Sequence, residues 1–339
     1  MRLKDLHKSC VDIGMQYDIR DPGRIERKLK EKNDEYKSLS EEERLFFDRE
    51  RLWNPYHDTR ILSGKETDKV KHLFVGIDVE VQQIIIASML REKGEKIDCL
   101  FLHHPQGRAA VEIAEDMYLQ IDLYGKYGVP EVQVEHQIEE KVQTTKRSSH
   151  SENIFEWQKS AELLGFSAMC CHTPADNLVY QYLEKGLARR EYDTMAEVKN
   201  AFLEIDEFRR YAKEGLGPLL INCDENSRVG RIALTGINGG TDGPAVFIRE
   251  QAEAGVGTIV MMHASEKMQQ KASEHDVNII QLNHYAGDDL GMNLMLDLLR
   301  REDPTLTVFP GCGFFRVERS KKELAVLDNP SKGEKTKKK

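Results

Sequence analysis

Asp98-Cys99-Leu100-Phe101-Leu102-His103-His104-Pro105 is the stretch on which the reading of this chain turns. Its first half is an uninterrupted apolar run, the pattern of a strand buried on both faces in the middle of a sheet. Pro105 stops it, because proline has no N–H with which to continue a central ladder. In open α/β sheets ligands bind beyond the carboxyl ends of the strands, and that is where this strand delivers His103 and His104. Two readings of the pair stand open: a ligand set, or a polar end-of-strand step with one imidazole half-buried and the other solvated. Adjacent strand residues point to opposite faces, so convergence on one ion requires the backbone to turn.

Outward from this strand the pattern is α/β. Residues 72–78 read as a strand ending in Asp78, and residues 80–92 as a helix with Ile84, Ile85 and Leu90 inward. With the His-His strand they make a βαβ unit, so the two strands should be parallel with a right-handed crossover and Asp78 should lie near the histidines. Residues 108–124 read as the next helix. Another apolar run at 163–171 leads to His172-Thr173-Pro174-Ala175-Asp176, and strands at 231–235, 258–262 and 277–282 follow. The last of these runs into Asn283-His284-Tyr285-Ala286-Gly287-Asp288-Asp289. A helix through Leu299 and a strand near Val308 close the pattern.

The remaining segments are charge-dense. Residues 24–36 and 41–53 read as two helices, the second opened by Ser40 and Glu43 at capping-box spacing. The polar residues 54–60 between this region and the first strand read as a turn that changes direction. The expected organisation is a helical extension at 1–68, an α/β metal-binding core from 69–127 and 216–328, a helical insertion and second lobe at 128–215 carrying His172 and Asp176, and a disordered basic tail at 329–339.

The 339 residues suit about two ordinary domains, or one large α/β domain with insertions. With 49 Lys+Arg against 58 Asp+Glu the formal net charge is −9, which argues against nucleic acid as the default partner and leaves a small phosphorylated molecule open. The six cysteines show no C-x-x-C spacing and read as reduced thiols of an intracellular protein, the vicinal Cys170-Cys171 as strand packing. Residues 1–5 open with mixed charge instead of an apolar signal, and no apolar run is long enough to span a bilayer, so a soluble, cytoplasmic protein is expected.

Three strand ends carry histidine: His103-His104, His172 with Asp176, and His284 with Asp288. Imidazole and carboxylate without thiolate suit Zn, Mn, Fe, Co or Ni rather than a structural Cys-type zinc site. A set of this size exceeds what one catalytic zinc takes and would suit two divalent metals about 3.5–4 Å apart, bridged by a carboxylate and by a water of lowered pKa. The spacing of His284 and Asp288 places both on one face if that turn is helical. The loop 236–243, with Gly236, Gly239 and Gly240, could cradle an anionic group through its backbone N–H groups; the alternative is a tight strand-to-helix turn. No dinucleotide fingerprint is present. His263 is expected to be a satisfied structural histidine.

These residues resemble the NGG-one-interacting factor three (NIF-three-like) family, also called GTP cyclohydrolase I type 2 homologues. The strand ending in Asp78 with the helix and strand leading to His103-His104-Pro105 looks like the family's opening signature. His172-Thr173-Pro174-Ala175-Asp176 is similar to its H-T-N-x-D element, with Pro174 in place of Asn. The segment 231–243 looks like its strand and small-residue loop, and His284-Tyr285-Ala286-Gly287-Asp288 is similar to its G-H-Y-x-[ST]-E element, with Asn283 in place of Gly and Asp288 in place of Glu. The resemblance implies interlocked α/β lobes with mixed sheets flanked by helices, here with an N-terminal helical extension. It implies a two-metal site with His103, His104, Asp176, His284 and Asp288 as ligands, Asp289 being the alternative to Asp288. It also implies a homo-oligomeric ring, commonly a hexamer. The corresponding expectation is a binuclear metal-dependent hydrolase acting on a small, anionic phosphoester, nucleotide or cyclohydrolase-type substrate, with His172 as general acid or base. The rival expectation is a non-catalytic metal-binding or regulatory ring that binds partners.

Overall fold

Two β-sheets frame the protein. The computed structural model describes residues 1–240 and 242–328; the tail expected at 329–339 lies outside the described residues, as does Thr241 of the glycine loop. The strands are β1 (Ile61–Ser63), β2 (His72–Gly76), β3 (Cys99–Leu102), β4 (Ser167–Cys170), β5 (Leu219–Ile221), β6 (Ile232–Gly236), β7 (Thr258–Met261), β8 (Asn278–Gln281) and β9 (Thr307–Pro310). The helices are α1 (Leu3–Gln16), α2 (Pro22–Ser38), α3 (Glu41–Arg44), α4 (Val81–Glu92), α5 (Arg108–Asp116), α6 (Leu119–Lys126), α7 (Glu131–Ser149) and α8 (Ile154–Leu163). They continue with α9 (Thr173–Leu187), α10 (Met195–Leu203), α11 (Asp206–Lys213), α12 (Phe247–Glu253), α13 (Glu266–Glu274), α14 (His284–Glu302) and α15 (Lys321–Leu324). The first sheet has the order β1-β4-β3-β2-β9 and the second β5-β8-β7-β6; all pairings are parallel except those of the edge strands β1 and β5. No described helix is long and apolar enough to cross a membrane.

The apolar run of β3 is explained by burial on both faces. Cys99 and Phe101 join the main core, while Leu100 and Leu102 join a second cluster with Ile84 and Ala87 of α4 and Trp157 and Ala161 of α8. The main core is continuous with the second sheet through Ala233, Ile259 and Ile279, and with α1, α9 and α14. Helix α14 is buried from Ala286 to Leu299, and two of its buried polar side chains toward the C-terminal end are matched. Asn293 donates to Glu207 Oε1 at 2.9 Å, and Asp297 pairs with Arg316.

Several expected elements differ. The capping box at Ser40 and Glu43 is present, but the helix it opens ends after one turn. Asp48 leaves the helical path to pair with Arg60 and to cap a short 3-10 turn, Arg49–Leu52. The helix expected over 108–124 is two, α5 and α6, breaking where the buried Asp116 turns its carboxylate toward the backbone of His57 and Asp58. In α4 only Ile84 of the expected inward set is fully buried. Ile85 is 48% exposed, because a helix lying on a sheet buries one stripe and Ile85 sits about 100° away from it.

The N-terminal residues expected to form an extension are not set apart. Leu3, Leu6, Cys10 and Val11 of α1 are completely buried, and β1 completes an edge of the first sheet. Strand β5, unforeseen, does the same for the second sheet.

Candidate metal centre

The register of the first sheet puts the expected residues at one end. Gly76, Leu102 and Cys170 are aligned across β2, β3 and β4, so Asp78, His103-His104 and His172 all emerge within two residues of the same level. The second sheet is registered likewise, Gly236 beside Met261 beside Gln281, and sends the 237–243 loop, His263 and His284 from its own carboxyl end. The His103 and His104 amides both donate toward the same neighbour, to Gly76 O at the end of β2 (3.0 Å) and to Ile77 O just beyond it (3.1 Å). In a regular strand consecutive amides face opposite neighbours. The chain therefore rotates at this step, which brings the two rings to 5.1 Å between centroids on one side.

Each imidazole is oriented by its Nδ1. That of His103 donates to Cys171 O (3.2 Å), that of His104 to Asp78 Oδ1 (2.6 Å), and that of His172 to Asp58 Oδ2 (2.8 Å). Their Nε2 atoms point at carboxylates. His103 Nε2 lies 3.5 Å from Asp176 Oδ1 and 3.5 Å from Asp288 Oδ1, and His104 Nε2 is 3.3 Å from Asp288 Oδ2. His284 Nε2 is 3.2 Å from Asp288 Oδ2, and His172 Nε2 is 3.9 Å from Asp176 Oδ2. Asn283 caps α14 by accepting from Ala286 N, so the helix begins at His284 and Asp288 follows one turn later on the same face. Asp289 points elsewhere, accepting from Tyr211 Oη at 3.3 Å and Phe315 N at 3.4 Å.

Charge in the cluster is shared between rings and carboxylates. Burial favours neutral His104, but Asp288 and Asp78 outweigh it and hold the ring up at about 10. Against the same burial, Asp176 and Asp58 hold His172 up at about 9. Burial prevails at His284, taking it down to about 4, and at Asp176, pushing it up to about 6. Asp288, although buried, is held far below the usual carboxylate range by His103, His104 and His284.

Among the described residues three overlapping groups could hold a metal ion: His103, His104 and His172; His104, His284 and Asp288; His103, Asp176 and Asp288. Within each group the ligand atoms lie within 4.8 Å of one another. The residues fit a divalent cation on a second count. Among the described residues His103 Nε2 and Asp288 Oδ2 are buried without a hydrogen-bond partner, a costly state unless another group satisfies them.

A cleft of about 380 Å³ opens over the cluster between the two sheets. Gly236 and Gly240 line it, together with Asp242, and no Lys or Arg is among its described lining residues. Gly239 is not part of this lining: its N–H is taken by Asn238 Oδ1 at 2.6 Å, and a Cβ there would stand 2.5 Å from Gln120 Cγ. Its φ of +111° and the +76° of Gly240 are what a tight turn needs. His263 is exposed, its ring 4.3 Å from that of His284.

The residues that sequence reasoning missed are Asp58, Asp116 and Tyr285. The first two are buried around the 54–60 turn, and Tyr285 donates to Asp78 Oδ2 at 2.7 Å. The polar density of 54–60 was visible in the sequence, but its partners at 116 and 172–173 are too distant to be paired by spacing.

A two-sheet α/β protein with a His/Asp cluster between facing strand ends is thus defined. Its fold is that of the NIF3 superfamily. The crystal structure of an NIF3 superfamily protein from Sphaerobacter thermophilus matches with a TM-score of 0.65 at 19% identity, covering 78% of this chain and 94% of that one. Reduced HcgD from Methanocaldococcus jannaschii matches at 0.46 and 11% identity, over 73% and 86% of the respective chains. A Bacillus cereus protein related to NIF3 matches at 0.39 and 10%, over 74% and 90%. No protein-family model and no curated protein matches the sequence.

Proposed function

We propose that this chain is a NIF-three-like protein that binds divalent metal, two ions per chain, through His103, His104, Asp176, His284 and Asp288, and that the centre serves hydrolysis of a small substrate entering the cleft. The observation carrying this reading is the pair of unpartnered buried atoms, His103 Nε2 and Asp288 Oδ2, set among further nitrogen and carboxylate donors. Bound divalent ions would supply a Lewis acid and bring the pKa of a water toward neutrality. Asp288 would be the ligand shared by two ions, a reading supported by Oδ1 facing His103 while Oδ2 faces His104 and His284. With no basic side chain among the described residues of the cleft wall, recognition of an anionic substrate would fall to the metals and to backbone N–H groups. Ring assembly is part of the proposal, and the exposed Ile85 and Met89 of α4 and Phe155 and Leu163 of α8 support it.

Elemental analysis of untagged protein, wild type beside His103→Ala and Asp176→Asn, tests the centre. Close to two metals per wild-type chain, reduced in both variants, is expected and would direct a phosphoesterase and cyclohydrolase screen with that metal. A folded wild-type protein that takes up none after incubation with Zn, Mn, Fe, Co and Ni would reject the proposal.

A further inference from the structure

None of residues 54–60 is among the described residues that line the cleft, yet the segment contains a fully engaged carboxylate close to the centre. Asp58 is 0% exposed and accepts from His172 Nδ1 at 2.8 Å, Thr173 Oγ1 at 2.6 Å, Thr173 N at 3.3 Å and Thr59 Oγ1 at 3.2 Å. It thereby caps the start of α9 from outside that helix, where His172 supplies no side-chain cap of its own. The His172 amide is held from the same turn, donating to Thr59 Oγ1 at 3.1 Å. Ring and backbone of His172 are thus both fixed by residues 58 and 59.

The turn is itself anchored. The buried Asp116 carboxylate accepts from His57 N at 3.0 Å, Asp58 N at 2.9 Å and His57 Nδ1 at 3.1 Å. Asn54 Nδ2 donates to Thr59 O at 2.9 Å, and His7 Nε2 donates to the same oxygen at 3.0 Å. Two buried carboxylates in series therefore hold an imidazole whose far nitrogen looks into the cluster, within reach of His103 and His104.

We propose that Asp58 is a positioning residue that commits the His172 ring to Nε2 coordination, with Asp116 fixing the turn that carries it, so that His172 belongs to the metal centre as a ligand instead of acting as a free acid or base. The chemistry is the general one in which a carboxylate on the far nitrogen fixes tautomer and ring orientation and raises ligand basicity. Outer partners of this kind typically change metal affinity about 10–100-fold when removed. The inference rests on the metal-binding reading above, and the experiment separates the two.

Co²⁺ is the probe. Affinity by chelator competition and the visible absorption of the bound ion are measured for wild type, Asp58→Asn and Thr173→Val, with thermal unfolding of each in excess chelator as the control for folding. In Asp58→Asn the amide cannot accept from all of the donors that face the carboxylate. The expected result is a loss of Co²⁺ affinity of about 10–100-fold and an altered spectrum, with cooperative unfolding retained in chelator. Thr173→Val removes one anchor of Asp58 and should fall between the two. Wild-type affinity and spectrum in Asp58→Asn would overturn the assignment. If Asp58→Asn does not fold, Thr173→Val decides: unchanged affinity and spectrum there also overturn it. No Co²⁺ uptake by folded wild type would reject the metal-binding reading, and the assignment of Asp58 with it.

Discussion

His7 sits on α1 at 3% exposure with Glu50 Oε2 3.9 Å from its Nε2, yet burial, helped by the nearby Arg60 charge, takes its pKa down to about 4 from 6.5. The folded state therefore prefers neutral His7, and the stability this represents is present above pH 6.5 and lost as the pH falls toward 4. At 1.36 kcal/mol per unit the loss is on the order of 3 kcal/mol. In denaturant titrations of metal-free protein, His7→Gln should flatten the fall of unfolding free energy between those limits; a slope equal to wild type would reject the assignment. The ring also holds Thr59 O, next to the carboxylate that orients His172. At this scale the gathering of His103, His104, Asp176, His284 and Asp288 at one end of the sheets was legible in the sequence, because His103 and His104 follow a readable strand, His284 opens a readable helix, and Asp176 and Asp288 lie four residues on from His172 and His284. Asp58 was not, since what singles it out is burial against residues more than a hundred positions away. Nor could spacing decide between Asp288 and Asp289. The start of α14 at His284 puts Asp288 one helical turn later facing the histidines, while Asp289 turns toward Tyr211 and Phe315.

Helices α9 and α14 carry Asp176 and Asp288 and meet at glycine. A Cβ on Gly291 would stand 2.9 Å from Ala175 O and 2.9 Å from Val179 Cγ2, so the two backbones approach closely just behind the two aspartates. Gly291→Ala should cost about 1–3 kcal/mol in a chelator-treated denaturation experiment; a change under about 0.5 kcal/mol, the usual range for a harmless substitution, would show that the contact can give. Pro174 makes the matching contact on the other side, where a Cβ on Gly14 of α1 would lie 2.7 Å from its Cβ. The proline that departs from the resembled motif thus packs α9 against the N-terminal helix. Elements buried on both faces, β2 to β4 and β6 to β8, were readable as apolar runs. The early end of α3 was not, because the Asp48–Arg60 pair that diverts the chain is tertiary. Strand β5 is half-exposed and only three residues long, too short to show a period.

Over the whole molecule, the first 64 residues supply core rather than an appendage. Leu3, Leu6, Val11 and Ile13 are each at most 5% exposed. At about 1.5–3 kcal/mol apiece they amount to roughly the net stability of a typical domain, about 5–15 kcal/mol. A chain beginning at Lys65 also lacks β1 and Asp58, and should aggregate or lose cooperative unfolding in calorimetry. A soluble, cooperatively folding fragment that still loads metal would make these residues a separable arm. The sheet margins described above have a further consequence. β1 and β5 are three residues each, β9 stops at Pro310, and β6 loses register between Ala233 and Gly236. Strand-to-strand recruitment, the route by which open ladders seed fibrils and swapped dimers, has almost no template here. Edges this short favour helices and loops over strand pairing as the contact surface wherever copies of the chain meet, and association of that kind could be tuned by surface substitution without disturbing the hydrogen-bonded ladders beneath.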